Sequence, residues 1–275
     1  MNPLWIGIAL GCYAVASGCF FFGHGPGRHR IAHCGTGLLT AGAVFNAIYL
    51  IARGLQAGNM PVASFGPSLI LLALLVAVIG VGLMVRLRVR VIGLFVALAA
   101  TVGVAAACML GSPRRLVLPE SLRSGWLPVH VTLAFLGYAM FLLAAGVSVI
   151  YLTYDSRLKS KRPLPGTGER VLSLETLDRI NYRLLGWGFV MLSLAIVSGA
   201  IWADATWGHF WSWEPQESWS LVTWLLYAAL LESRFTVGWR GRRAAALTIA
   251  VFTVLAGSFL GLSLMHPGHH SGNFD

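Results

Sequence analysis

The sequence predicts an all-α fold: a polytopic membrane bundle of about eight transmembrane helices, with both termini on the extracytoplasmic side. Three observations predict it. Apolar runs of about 20 residues recur along the chain, the length that crosses a bilayer core. Charged residues make up 11% of the sequence, against about 25% in a soluble domain. The basic residues are also distributed unevenly over the connecting segments. All of the 20 Lys and Arg residues except Arg53, Arg114, Arg115 and Arg123 fall in alternate loops. Basic loops stay on the cytoplasmic side, so the termini and the loop between the sixth and seventh helices are expected outside. A transmembrane barrel would show short alternating segments instead.

In chain order, the first helix is expected over residues 3–22. Ala14-Val15-Ala16 resembles a signal-peptidase site, but no basic residue precedes the run and the run continues to Phe22, so it reads as a retained helix. The second is expected over 34–52, opened by Cys34, and the third over 67–85, where Pro67 suits a first helical turn. Arg86, Arg88 and Arg90 mark a tight turn to the fourth helix, 91–110, and a Pro/Arg segment leads to the fifth, 129–154. Residues 155–183 read as a basic cytoplasmic loop holding a surface helix over 173–182. The sixth, seventh and eighth helices are expected over 184–203, 217–233 and 244–264. No hydrophilic stretch is long enough for a separate soluble domain, so residues 1–275 read as one membrane domain.

The net charge of +10 orients helices rather than binding nucleic acid, because its carriers lie between apolar runs. Cys12, Cys19, Cys34 and Cys108 form no CxxC and no metal-ligand spacing. The absence of CxxCH means that the chain reads as something other than a c-type cytochrome. No catalytic triad, paired acid/base carboxylates or phosphate loop is evident, so no catalytic residue is assigned.

The densest chemistry lies in residues 205–224, ATWGHFWSWEPQESWSLVTW. Five of the ten tryptophans fall here, Glu214 and Glu217 lie among them, and no Lys or Arg does. The loop 205–219 should face something large, flat and apolar, since exposed indole area is costly in water. His130 opens the fifth helix and His266 closes the eighth, and both reach the same membrane surface as this loop. Two imidazoles beside an aromatic floor suit a haem, whose iron commonly takes histidine as an axial ligand. The bland alternative is an interfacial aromatic belt with histidines near headgroups. Glu214-Pro215-Gln216-Glu217 likewise has a structural account as a helix start, with proline and carboxylates in the first turn.

The segment WGHFWSWEPQESWSLVTW resembles the tryptophan-rich "WWD" signature of haem-handling membrane proteins, which include CcsA (also called ResC), CcmC and CcmF. Its P-x-E-x-W-x-L-x-T-W continuation is similar to the CcsA/ResC branch of cytochrome c assembly proteins. WLPVHVTLAFLGYA, LETLDRINYRLLGWGF and SGAIWADATWG agree with it. The resemblance implies a haem-handling component of cytochrome c biogenesis in a bacterial inner membrane, its haem b site facing the periplasm. His130 and His266 match the axial ligands, and Trp207, Trp211, Trp213 and Glu214 match the haem-holding residues, with Glu214 where the family usually has Asp. Glu217 and Trp219 lie within the same haem-binding motif. The implied partners are a CcsB/ResB-type membrane protein, jointly forming a cytochrome c synthase, and an apocytochrome c carrying CxxCH. The alternative is a CcmC-like haem transporter that forms no thioether. The family's inner histidines correspond to Asn46 and Glu232, neither of which can supply an imidazole. His209 lies inside the motif, and His269 and His270 lie on the tail.

Overall fold

A computed structural model describes residues 4–23, 29–57, 65–87, 90–110, 126–164 and 172–265. Among them the chain forms eight helices and no strand: α1 (Leu4–Phe22), α2 (His29–Ala57), α3 (Phe65–Leu87), α4 (Gly93–Leu110), α5 (Trp126–Lys159), α6 (Leu174–Trp207), α7 (Pro215–Phe235) and α8 (Arg242–Met265). Six of these are long and apolar enough to cross a membrane; α4 is a shorter apolar helix. The remaining one, α7, carries Glu217, Glu232 and Arg234 within its 21 residues. The protein is a polytopic helical membrane protein.

Three helices run well past their expected bounds: α2 by five residues at each end, and the fifth and sixth helices. The surface helix and the sixth span are one continuous helix, α6. Ser173 caps its start by accepting from the Thr176 amide at 3.2 Å. No proline or glycine separates Tyr182 from Leu184, so nothing in the backbone stops the helix there. The fifth helix likewise runs past Tyr154, where Lys159 pairs one turn back with Asp155 at 2.8 Å. At 34 residues each, α5 and α6 are about 51 Å long and extend beyond a hydrocarbon core of about 30 Å.

The helices pack as two groups of four. In the first, α1 lies against α2 and α4, and α3 lies against α2 and α4. In the second, α5 lies against α6 and α8, and α7 closes the group against α6 and α8. The groups meet where α3 packs on α5, with Leu71 and Phe135 buried together. Phe141 of α5 and Tyr227 of α7 stack inside the second group with ring centroids 3.6 Å apart.

A polar knot ties the basic-loop end of the second group. Asn181 of α6 is buried and directs its amide nitrogen at Ala144 O, Ser148 Oγ and Thr248 Oγ1. Its amide oxygen accepts from Arg234. Asp178 accepts from Arg234 at 2.8 Å and from the Gly241 amide at 2.9 Å, which clamps the short α7–α8 turn onto α6. Polar side chains between apolar helices gain from such mutual pairing. Since α6 starts at this end, its other end and the start of α7 carry the tryptophans to the opposite surface.

Candidate haem site at the tryptophan-rich end

His130 sits one turn into α5, facing α6. Its Nδ1 lies 2.7 Å from Ala195 O. A carbonyl oxygen only accepts, so in the neutral ring Nδ1 carries the proton and Nε2 holds the lone pair. Gly199 makes room for the ring: a Cβ there would stand 2.6 Å from Cε1 and 2.7 Å from Nδ1. Three residues before His130, Leu127 packs against the buried Trp202 of α6, and Trp202 meets Trp207 edge-on at 4.8 Å. One continuous contact chain therefore joins the start of α5 to the tryptophan-rich segment.

α6 stops at Gly208, whose φ of +79° closes the helix with its amide bonded to Asp204 O. Glycine takes this left-handed geometry without a Cβ penalty. Beyond it, Trp207 and His209 stack at 6.3 Å and Trp211 meets Trp213 edge-on at 5.9 Å. Trp213 also adopts a left-handed backbone, φ +59°, which costs a residue with a Cβ about 1–2 kcal/mol. Glu217 accounts for the turn: its Oε2 accepts from the Ser212 amide at 2.8 Å and from Ser212 Oγ at 3.0 Å. Ser218 Oγ adds a bond to Trp213 O at 3.2 Å. The result is an indole 71% exposed on a turn closed on both sides.

Glu214 is the N-cap residue of α7 and Pro215 opens the helix. The Glu214 side chain does not cap its own helix. Trp219, on the first turn of α7, is exposed, as are Phe210 and Trp126. Trp211 is half-buried, and its indole N–H finds no acceptor among the described residues. Trp224 turns inward, donating to Ser193 Oγ at 2.8 Å and stacking on Phe189. Of the residues expected to hold haem, His130, Trp207, Trp211, Trp213, Glu214, Glu217 and Trp219 all lie at this end. His266, His269 and His270 lie outside the described residues.

The end of α8 reaches the same level. Phe259 of α8 packs edge-on against Phe135 of α5, centroids 5.9 Å apart. Six more residues take α8 to Met265, about 9 Å further along, and five take α5 back to His130, about 7.5 Å.

The model of the family described as "Cytochrome C assembly protein" matches residues 63–270, from the start of α3 to beyond α8. The chain belongs to this family. Within the cytochrome c assembly family, it is 31% identical to "Cytochrome c biogenesis protein CcsA" of Microcystis aeruginosa over 86% of each chain. Identity is 30% to the protein of that name from Gloeothece citriformis, over 82% of this chain and 83% of that one. A shorter match, 57% of this chain and 43% of the relative, is 37% identical to the CcsA of Chlamydomonas reinhardtii. Among solved structures, "Cytochrome c Heme Lyase CcmF" shares the fold at a TM-score of 0.65 and 18% identity. That likeness covers 99% of this chain and 53% of the other, so this chain spans about half the length of that protein.

Asn46 and Glu232, the positions where the resemblance implied inner histidines, are also accounted for. Asn46 is fully buried, its Nδ2 facing Tyr13 OH at 3.4 Å and Ile70 O at 3.3 Å, so it ties α2 to α1 and α3. Glu232 is exposed on α7 and leaves Arg234 to Asp178. α2 packs chiefly on α1 and α3, and α7 on α6 and α8. Sequence reading did not single out Ala195, Gly199, Trp202 or Ser212. Trp202 had a signal, as a sixth tryptophan five residues before Trp207. The other three are small residues whose part depends on what lies opposite them.

Proposed function

We propose that this chain holds haem b on the outer face of the bacterial inner membrane and presents it for covalent attachment to apocytochrome c. In this reading His130 and His266 are the axial ligands. The edges and faces of Trp207, Trp211, Trp213 and Trp219 cover the apolar porphyrin, while Glu214 borders it. The observation that carries the reading is the His130–Ala195 O bond, which leaves Nε2 of this α5 ring as the nitrogen for a metal and ties the ring to α6, the helix that ends in the tryptophan turn. A backbone carbonyl bonded to the far nitrogen is a usual way in which a metal-ligating histidine is oriented. The unmatched Trp211 donor suits a polar group of the cargo, such as a propionate oxygen.

Two axial imidazoles would saturate the iron and restrain the porphyrin while its vinyl groups stay open to the two thiols of a CxxCH segment. Each thioether forms by addition of S–H across a vinyl C=C. The chain's contribution is then placement, holding the reacting groups in line. The distribution of basic residues supports termini and haem site on the outer side. A CcsB/ResB-type membrane partner completes the assembly in this proposal.

The test is the absorption spectrum of the purified protein. Wild type should show a six-coordinate low-spin haem, lost in His130→Ala/His266→Ala. Co-expression with a candidate partner and an apocytochrome c then tests attachment. Haem bound without thioether formation beside a competent partner would favour the transporter alternative.

A further inference from the structure

We propose that Gly199 is a positioning residue for the iron ligand: with the Ala195 carbonyl it forms a seat on α6 that fixes both the plane and the tautomer of His130. This rests on the reading of His130 as an axial ligand and deepens it. All three atoms nearest to a Cβ placed on Gly199 belong to the His130 ring, two of them at 2.6 and 2.7 Å. The ring thus lies against bare helix backbone, in space that any other side chain would occupy. The carbonyl one turn earlier accepts a hydrogen bond from Nδ1, 2.7 Å away, and Ser198 Oγ donates to the same oxygen at 3.0 Å.

Seat and bond act together. The bond selects Nε2 for the metal, and the notch allows the ring close enough to α6 to make that bond. A methyl group at position 199 forces the ring to swing off the helix, and a swung ring loses Ala195 O. Its donor strength and direction are then no longer set by the protein. The carbonyl itself cannot be altered by substitution, which makes Gly199 the handle on the seat.

Gly199→Ala is compared with Gly186→Ala, a control on the same helix, where a Cβ meets nothing within 4 Å. Haem content and spectrum are read on the purified membrane protein. Gly199→Ala should retain haem about 10- to 100-fold more weakly, the usual cost when a ligating histidine loses the group bonded to its other nitrogen, and convert its low-spin signal to high-spin. Added imidazole should restore the low-spin signal, which a general structural defect would not permit. Gly186→Ala should match wild type. A Gly199→Ala protein with wild-type haem content and low-spin spectrum overturns the proposal. Should that variant accumulate poorly, His130→Ala is added to it: recovery supports a clash with the ring, and no recovery overturns it. A wild type that carries no haem, or a His130→Ala protein that keeps the low-spin spectrum, defeats the axial-ligand reading itself, and the seat falls with it.

Discussion

The guanidinium of Arg234 on α7 meets the carboxylate of Asp178 on α6 at 2.8 Å, with the arginine side chain only 4% exposed. The same group reaches Asn181 Oδ1 and lies 5.1 Å over the Tyr182 ring. Removing the carboxylate would strand a charge in a low-dielectric site. Asp178→Ala should therefore destabilise the protein by about 3–5 kcal/mol, read as thermal unfolding in detergent. Glu232→Gln, two residues from Arg234 but exposed, should stay within about 0.5 kcal/mol of wild type. Equal effects of the two would show that Arg234 is paired otherwise.

Glu217 and Trp213 separate stability from function. Trp213→Gly removes the left-handed penalty of about 1–2 kcal/mol together with the indole. It should leave the protein as stable as wild type or more so, while haem retention falls. Glu217→Ala loses both bonds to Ser212, frees the turn and lowers haem retention; Glu217→Gln keeps an acceptor oxygen and should recover much of it. Parallel haem titrations and melting curves check this, and unchanged retention in Glu217→Ala would remove the turn from the site.

Asn46 can be tested as a structural residue. Its Oδ1 is buried with no partner among the described residues. Asn46→Leu removes that oxygen but also takes the Asn46 donor from the buried Tyr13 OH, so it should destabilise the protein by about 1–3 kcal/mol. Haem content should not change. A loss of haem in Asn46→Leu would make Asn46 part of the haem path.

The orientation of the bundle can be read directly. Single cysteines at positions 130 and 266, in a protein lacking Cys12, Cys19, Cys34 and Cys108, should both react with a membrane-impermeant thiol reagent added from outside. A cysteine at Arg162 should react only after permeabilisation. Labelling of positions 130 and 266 from opposite sides would end the two-histidine site.

Much of this protein was legible from the chain alone, because the bilayer makes local composition decisive. A run of about 20 apolar residues must become a helix, since no water is present to satisfy an open backbone. Position 130 and the tryptophans follow from the helix count, which returns α5, α6 and α7 to one surface. Helix ends did not follow: past the bilayer, water no longer penalises either state. The continuity of α6 through Arg183 depended on a cap at Ser173 and on the Asp178–Arg234 clamp.

What tertiary structure alone decided is which small or charged group stands opposite which. The notch at Gly199, the accepting carbonyl of Ala195, and the choice of Asp178 over Glu232 by Arg234 involve residues tens of positions apart. Their roles arise from distances of a few ångströms between helices, and one-dimensional periodicity carries no information about those distances. The sequence by itself determined that histidine and tryptophan share a membrane surface; packing determined which nitrogen of His130 is bonded to α6.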